Sequence, residues 1–237
     1  MFRSLVWFIY FWLYQVSAIF RLKKVDRLLA ENKIEERDAL VAPEIQRWAL
    51  NLLKVAGCKV TVVGEENLIL DRPVLYVSNH QGNFDIPILL GHLPGSKGFI
   101  AKDSIEKMPL VNRWMKHSHC VFMNRDNLRQ SAAAINEGIR YIKAGYSMVI
   151  FPEGTRSLDG HLLEFKPGAL KLGTKAVAPI VPVTISGSIN MMQKGSLAIR
   201  PSEILVTVHP AILPEGYAEM DTTALAELVK AKIESSL

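Results

Sequence analysis

The stretch VLYVSNHQGNFD, residues 74–85, runs from four strand-like apolar residues into a loop that carries His80 and, five positions later, Asp85. A short apolar run that ends in polar and glycine residues is typical of a buried strand followed by a loop. A histidine and an aspartate held at one strand end can together remove a proton from a hydroxyl group. This stretch therefore predicts a buried strand with a candidate catalytic site at its carboxyl end.

A second loop of the same kind is FPEGTRS, residues 151–157, which follows the apolar run at 148–150. Gly154 permits a tight turn whose backbone N–H groups can face an anion, and Arg156 offers a forked, permanent cation for phosphate. Glu153 cannot bind an anion, so we expect it to orient Arg156 or to contact a substrate hydroxyl. The alternative is a structural ion pair between Glu153 and Arg156 that closes the loop.

Short apolar runs and helical patterns alternate from Cys58 to the end of the chain. Strands are predicted at 59–63, 74–77, 98–101, 121–123, 148–151, 180–184 and 204–208, and helices at 86–92, 110–117, 128–144, 169–176 and 223–235. This alternation predicts an α/β fold with a mostly parallel central sheet flanked by helices. Ligands of such sheets bind beyond the carboxyl ends of the strands, so one cleft is expected to hold both loops. Pro182 interrupts one strand run, which favours an edge position or a bulge there.

The N-terminal segment has a different character. Residues 4–20 carry no charge, and eight of the 19 aromatic side chains lie within the first 20 residues. A bilayer span needs about 20 apolar residues, and Trp and Tyr favour the headgroup level, so we expect a helix that lies in one leaflet or dips into it. A true span, a cleaved signal peptide and burial in the protein's own core are the alternatives.

The charge pattern agrees with a membrane lipid bilayer as a partner. The net charge is +5, and residues 1–25 hold four cations and no acid, which suits an anionic bilayer surface. If the segment spans the bilayer, the cations just after residue 20 outnumber Arg3 and keep the bulk of the chain cytoplasmic. The chain is accordingly expected at the cytoplasmic face of the cell membrane. No zinc-finger spacing or basic helix favours nucleic acid.

An amphipathic helix is predicted at 43–56, with Pro43 at its first position. This helix either extends the membrane-binding surface or packs on the domain, and packing is the commoner outcome. The chain is thus predicted to consist of membrane-associating helices at 1–57 and an α/β domain at 58–237. Only Cys58 and Cys120 are present, so no disulfide framework is expected.

Four blocks of the sequence resemble the glycerolipid acyltransferase family, and most closely its lysophosphatidate acyltransferases. The blocks are Asn-His-x-x-x-x-Asp at 79–85, a strand that ends in an arginine at 121–125, FPEGTRS at 151–157, and an apolar run with a central proline at 180–183. The first and third blocks are specific together, whereas the second and fourth are weak alone. Gly82 departs from the family, in which many members carry serine there, but His80 and Asp85 are unaffected.

The resemblance implies a glycerol-3-phosphate acyltransferase-like fold. It also implies transfer of a fatty acyl group from acyl-CoA or acyl carrier protein to the 2-hydroxyl of 1-acyl-glycerol 3-phosphate, a lysophospholipid acceptor, which forms phosphatidic acid. His80 would act as the general base with Asp85 orienting its ring, and no metal or redox cofactor would be needed. The family's phosphate-binding role falls on Arg125 and Arg156. The full set of substrate-binding candidates is Arg125, Glu153, Gly154, Arg156, Lys102 and Asn79. For Lys102 a solvated surface lysine is the equal alternative.

The acceptor hydroxyl would attack the thioester directly, because the sequence has no Gly-x-Ser-x-Gly elbow that would supply a protein nucleophile. Three other functions stay open at this point. They are acylation of another lysolipid such as a lyso-ornithine lipid or lysophosphatidylethanolamine, thioester hydrolysis by an activated water, and non-catalytic membrane binding by the same fold. A purely structural role, in which Asp85 caps a helix at Ile86 and His80 fills a turn, is the remaining alternative.

Overall fold

The structure is a computed structural model that describes residues 2–193 and 195–237. Its strands are β1 (Cys58–Val63), β2 (Leu75–Ser78), β3 (Lys97–Lys102), β4 (Val121–Met123), β5 (Ser147–Ile150), β6 (Ile180–Ser186) and β7 (Ser202–Val208). They form one sheet in the order β1-β7-β6-β2-β5-β3-β4. Every neighbouring pair is parallel except β6 and β7. The predicted mostly parallel sheet is confirmed, and each strand lies within two residues of its predicted bounds.

Helices pack on both faces of this sheet. They are α1 (Phe2–Ser17), α2 (Ile19–Ala30), α3 (Ile34–Ala56), α4 (Asp85–His92), α5 (Val111–His117), α6 (Leu128–Lys143), α7 (Lys171–Ala176), α8 (Pro214–Tyr217) and α9 (Thr222–Glu234). Tyr76 of β2 packs in one hydrophobic cluster with residues of α3 and α4, whereas its neighbour Leu75 packs in a second cluster with residues of α6, α7 and α9. Adjacent strand residues face opposite sides of a sheet, so the two clusters are its two buried faces.

The carboxyl ends of β2 and β5 lie side by side, since Val77 pairs with Ile150 in parallel register. The loops that follow these two strands therefore meet at one edge of the sheet, where ligands of such folds bind. Asn79 ties the first of these loops to β6. Its Nδ2 donates to the carbonyl of Ile185 at 2.8 Å, and its Oδ1 accepts from the Ile185 N–H at 2.8 Å.

Pro182 lies in the interior of the sheet, so the predicted edge position is wrong, whereas the predicted bulge is present beside it. Val183 pairs with Val208 but Ile180 pairs with Ile212, so the segment that continues β7 carries one extra residue opposite Pro182. Pro182 pairs with Val77 of β2 on one side, and on the other side its carbonyl accepts from the N–H of His209 at 3.0 Å, just beyond the end of β7. The N–H and C=O groups of one strand residue point to the same side. The missing N–H of Pro182 therefore faces the end of β7, and the ladder loses a single bond.

Pro43 lies inside α3, which begins at Ile34, so the prediction that Pro43 starts this helix is wrong. A proline removes one intrahelical hydrogen bond. Val41 and Glu44 on either side of it are buried, whereas Pro43 is exposed. The packing of its neighbours thus holds the helix together through the proline.

The N-terminal helices pack on the α/β domain by one face only. Trp7 of α1 is buried, and its Nε1 donates to the carbonyl of Leu52 in α3 at 3.0 Å. The opposite face is apolar and exposed, and it comprises Phe2, Leu5, Val6, Ile9, Trp12, Leu13 and Val16. Within the described residues no single helix is long and apolar enough to cross a membrane, although α1 and α2, bent by 44°, satisfy length and composition as a pair.

The predicted boundary between residues 57 and 58 falls between α3 and β1. One hydrophobic cluster contains Trp7 and Leu53 from the N-terminal helices together with Ile88 and Val206 from the α/β part. The two parts therefore share a core, and the division into two domains stays a prediction.

Candidate active site

His80 and Asp85 meet at the carboxyl end of β2. Nδ1 of His80 lies 2.6 Å from Oδ2 of Asp85. The N–H groups of Gln81 and Gly82 donate to the same oxygen at 2.7 and 2.8 Å, and the hydroxyl of Ser188 donates to Oδ1. Asp85 is fully buried, so the protein itself supplies every partner of the carboxylate. With Nδ1–H donating to Asp85, Nε2 is the nitrogen that can accept a proton.

The second loop, 151–157, fixes the imidazole ring and its backbone. The ring of Phe151 stacks on the ring of His80 with centroids 4.0 Å apart and an interplanar angle of 12°. Oε1 of Glu153 accepts from the N–H of His80 at 2.6 Å, and the N–H of Ser157 donates to the carbonyl of His80 at 2.8 Å. Because the His80 side chain is only 13% exposed, these contacts leave it little freedom to turn.

Glu153 holds the loops together and does not orient Arg156. Its second oxygen, Oε2, accepts from the N–H of Leu163 at 3.0 Å, while Arg156 donates instead to Oδ1 of Asn83 at 2.8 Å. Burial raises the pKa of the Glu153 carboxyl, and the two backbone hydrogen bonds oppose that rise. The interpretations of Glu153 as a partner of Arg156, by orientation or by ion pair, are therefore wrong, because backbone N–H groups take both oxygens.

Three cations share one cavity with His80: Arg125, Arg156 and Lys102. Arg125 is half-buried, and its Nη1 donates to the carbonyl of Gly154. Its Nε is buried and has no hydrogen-bond partner among the residues that the structure describes. Burial lowers the pKa of the Arg125 guanidinium. An unpaired donor on a buried cation suits an incoming anion. Asn79 lies apart from these cations, with its amide bonded to β6.

Gly154 adopts a left-handed conformation with φ +71°, and a Cβ atom there would lie 3.0 Å from Nζ of Lys166. L-residues with side chains rarely adopt this backbone conformation. The carbonyl that this turn exposes is the one that Arg125 contacts. Gly154 thus shapes the loop that positions the arginine.

The cavity has a volume of about 910 Å³ and extends from His80 to the N-terminal helices. At one end it is polar, with Arg125 and Arg156. Along its length it is lined by aromatic side chains, among them Trp7, Phe8 and Phe11 of α1. Apolar cavities of this size bind small organic ligands, so the site can hold a charged head and a hydrocarbon chain together.

Comparison with known proteins finds relatives over most of this chain. A family model described as "Acyltransferase" matches residues 59–186. The probable 1-acyl-sn-glycerol-3-phosphate acyltransferase of Mycoplasma pneumoniae is 33% identical, over 93% of this chain and 89% of its own length. Its counterpart from Mycoplasma genitalium is 32% identical, over 97% of this chain and 88% of its own length. The chain belongs to the acyltransferase family.

A solved structure extends the comparison to the fold. The crystal structure of PlsC, the 1-acyl-sn-glycerophosphate (LPA) acyltransferase from Thermotoga maritima, matches this acyltransferase with a TM-score of 0.84 at 30% identity. The match covers 99% of this chain and 95% of that one. The resemblance that the four sequence blocks indicate is thereby confirmed, and it extends over the N-terminal helices as well.

Ser188 is a site residue that the sequence blocks of this acyltransferase do not mark. It follows β6 in a short turn, and its hydroxyl donates to Asp85. It lies far from the His80 loop in sequence, and no spacing rule connects the two. Asn83, which accepts from Arg156, lies within the first block but at one of its variable positions.

Replacing Ser188 by alanine is expected to lower kcat for acyl transfer by up to about tenfold, because Asp85 loses one of its hydrogen-bond donors. Initial rates at saturating substrate measure the effect. The control is Ser196→Ala, since the Ser196 hydroxyl accepts from the nearby N–H of Ala198 and, among the described residues, has no other side-chain hydrogen bond. Equal rates for the two variants would show that the Ser188 hydroxyl does not contribute to the alignment of Asp85.

Replacing Glu153 by glutamine is expected to destabilise the acyltransferase by roughly 1–3 kcal/mol and to lower kcat about tenfold. One of the two backbone N–H groups would then face the side-chain –NH₂ group and lose its acceptor. Thermal unfolding followed by circular dichroism, together with initial rates, tests both effects. The matched control is Glu164→Gln, whose carboxylate is exposed and paired with Lys230. A Glu153→Gln variant as stable as this control would contradict the bridging role.

Proposed function

We propose that this acyltransferase moves a fatty acyl group from a thioester donor to the 2-hydroxyl of 1-acyl-glycerol 3-phosphate and so forms phosphatidic acid. The observation that carries the proposal is the shared cavity. This cavity is lined by His80, Arg125 and Arg156 and continues into an apolar channel. A lysophosphatidate has a hydroxyl, a phosphate and a hydrocarbon chain that match these three parts.

The proton transfer follows from the contacts of His80. Nε2 takes the proton of the 2-hydroxyl as its oxygen attacks the thioester carbonyl, and Asp85 stabilises the imidazolium that forms. The tetrahedral intermediate then collapses, the carbon–sulfur bond breaks, and the leaving thiolate takes the proton from Nε2. The products are the new ester and a free thiol, and His80 returns to its neutral form.

The phosphate of the acceptor is bound by the cations at the cavity entrance. Arg125 has an unpaired buried Nε, and Arg156 is held in place by Asn83. A guanidinium can bind two phosphate oxygens at once. Lys102, which is exposed at the end of β3, adds a further positive charge. Acyl-CoA and acyl carrier protein are both compatible with this arrangement as donors.

An acyl-transfer assay tests the proposal. Purified protein in lipid–detergent micelles receives radiolabelled palmitoyl-CoA or palmitoyl-carrier protein, with either 1-acyl-glycerol 3-phosphate or phosphate-free lysolipids as acceptor. Labelled phosphatidate that is lost in Asp85→Asn is the expected result. Faster labelling of a lyso-ornithine lipid or lysophosphatidylethanolamine would show that this lysolipid is the preferred acceptor. Label only in free fatty acid would indicate hydrolysis.

We also propose that the exposed apolar face of α1 binds the bilayer at its cytoplasmic face. Leu5, Ile9 and Leu13 are each at least half exposed on this face. Exposed apolar patches of this kind mark interaction surfaces, and an interfacial helix buries such a face in the lipid. Lys23 and Lys24, both exposed, follow in α2 and suit anionic headgroups.

Replacing Leu5 and Leu13 by glutamate is expected to lower partitioning onto anionic liposomes by at least about tenfold, because each buried leucine contributes roughly 1.5–3 kcal/mol. Co-sedimentation with phosphatidylglycerol vesicles measures this. The control replaces Leu70 and Leu128, which are 75% and 88% exposed elsewhere on the surface, by glutamate. Equal binding of the two double variants would place the bilayer contact on another surface.

A further inference from the structure

The far end of the cavity holds two polar atoms that the protein leaves without a partner. Oε1 of Gln15 and Nε1 of Trp48 are buried and make no hydrogen bond within the part of the chain that the structure describes. Both side chains line the cavity, and Gln15 is only 4% exposed. Buried polar groups are nearly always hydrogen-bonded, and an unpaired one is costly. The two atoms therefore point to a group that enters the cavity.

This end of the cavity is well separated from His80. Trp7 marks the near end, since its ring lies 5.4 Å from that of Phe84, the residue before Asp85. Phe11 follows one turn later, with its ring 6.0 Å from that of Trp48, and Gln15 lies one turn beyond Phe11. At the rise of an α-helix, Gln15 is about 12 Å further along α1 than Trp7.

The neighbouring charged groups already have partners. Glu44, one turn before Trp48 on α3, is buried and accepts from the hydroxyl of Tyr14 at 3.0 Å and from Nε of Arg21 at 2.8 Å. Nη2 of Arg47 lies 3.3 Å from its other oxygen. Glu44 thus makes no hydrogen bond with Gln15 or Trp48, and both atoms are open to a guest.

The chemistry of the two atoms defines that guest. A glutamine oxygen only accepts a hydrogen bond, whereas an indole N–H only donates one. A hydroxyl group donates to the first and accepts from the second. An ester carbonyl would satisfy only Trp48, and a methylene group would satisfy neither. The free hydroxyl of 1-acyl-glycerol 3-phosphate is required at His80, and the polar pantetheine arm of the donor does not suit the aromatic lining around Gln15. A hydroxyl at Gln15 is therefore assigned to a hydrocarbon chain.

We infer that Gln15 and Trp48 form a subsite for a hydroxyl group on the distal part of a fatty acyl chain. This distal hydroxyl subsite makes the enzyme accept hydroxylated chains that a wholly apolar channel would reject, since burial of an unpaired hydroxyl is costly. The inference rests on the proposed function, because it takes the cavity to hold the acyl chain of the donor or of the acceptor.

The test compares kcat/KM for palmitoyl-CoA and ω-hydroxypalmitoyl-CoA, with lauroyl and myristoyl pairs to vary the depth of the hydroxyl. A second arm keeps palmitoyl-CoA as donor and places the ω-hydroxyl on the chain of the 1-acyl-glycerol 3-phosphate. We expect the wild-type enzyme to use at least one hydroxylated chain as well as its plain counterpart. Gln15→Leu and Trp48→Phe should each lower the hydroxylated-to-plain ratio about fivefold. The arm that responds identifies the chain.

Trp12→Phe is the matched control, because Trp12 lines the same cavity but is 42% exposed, and it should leave the ratio unchanged. Rejection of every hydroxylated chain by the wild type would overturn the inference. The inference would also be overturned if Gln15→Leu and Trp48→Phe both kept the wild-type hydroxylated-to-plain ratio while they transferred palmitoyl groups normally. If the wild type transferred no palmitoyl group to 1-acyl-glycerol 3-phosphate, the proposed function would fail instead.

Discussion

Replacing His80 by alanine is expected to lower kcat for phosphatidate formation by roughly 10²–10⁴-fold, the usual contribution of a general base. Nδ1 is bound to Asp85 at 2.6 Å, so Nε2 is the only ring nitrogen free to take the substrate proton. Among the described residues, Glu153 is the other acid that contacts His80, and both of its oxygens accept backbone N–H groups. Initial rates at saturating acyl-CoA and acceptor measure the loss.

Two further variants separate chemistry from structure. Asp85→Asn should also be severely impaired, because the imidazole loses the carboxylate that fixes its tautomer and stabilises its charged form. His161→Ala removes an exposed histidine from the loop that follows residues 151–157 and should keep full activity. If His80→Ala retained more than about a tenth of the wild-type kcat with an unchanged unfolding temperature, His80 would not be the general base.

Replacing Arg125 or Arg156 by methionine is expected to lower kcat/KM for 1-acyl-glycerol 3-phosphate by roughly 10–100-fold, as loss of a charge-assisted hydrogen bond costs about 1.5–3 kcal/mol. Methionine keeps much of the apolar stem and removes the charge. A monoacylglycerol acceptor has no phosphate, so its slower acylation should change little. The ratio of the two kcat/KM values is therefore the decisive measurement.

The control for charge is Arg129→Met, which removes an exposed cation from the first turn of α6, outside the cavity lining. This variant should keep the wild-type preference for the phosphorylated acceptor. A parallel loss of activity on both acceptors in Arg125→Met would assign that side chain to loop structure, through its contact with the Gly154 carbonyl, and would leave phosphate binding to Arg156.

The strands and the loops that follow them depend on local sequence pattern, and these are the features that the sequence predicts. The run at 74–77 and the glycine-containing loop after it place a strand end and a loop, and parallel register brings a second loop beside the first. The two errors about the fold, the helix start at Pro43 and the edge position of Pro182, concern prolines. Pro43 and Pro182 are tolerated inside a helix and a central strand because their neighbours are well packed, and packing is a tertiary property that propensity does not include.

The internal contacts of the site lie beyond the reach of sequence patterns. The hydrogen bond from Ser188 to Asp85 and the stacking of Phe151 on His80 join residues that are far apart in the chain. The role of Glu153 illustrates the same limit, because a carboxylate beside an arginine in sequence has bonded to two backbone N–H groups instead. The hydrogen-bond partners of a buried side chain depend on which backbone groups the fold leaves unpaired around it.

Because β1 pairs with β7, the N-terminal part of the chain cannot complete its folding until the last strand has been synthesised. Cys58 pairs with Ser202, and Trp7 shares a cluster with Val206. At ribosomal speeds of about 5–20 residues per second, β1 waits on the order of ten seconds for β7, the strand that lies beside it in the described sheet. During translation the nascent chain thus presents an open strand edge and an uncovered aromatic helix, which are features that chaperones bind and that promote aggregation.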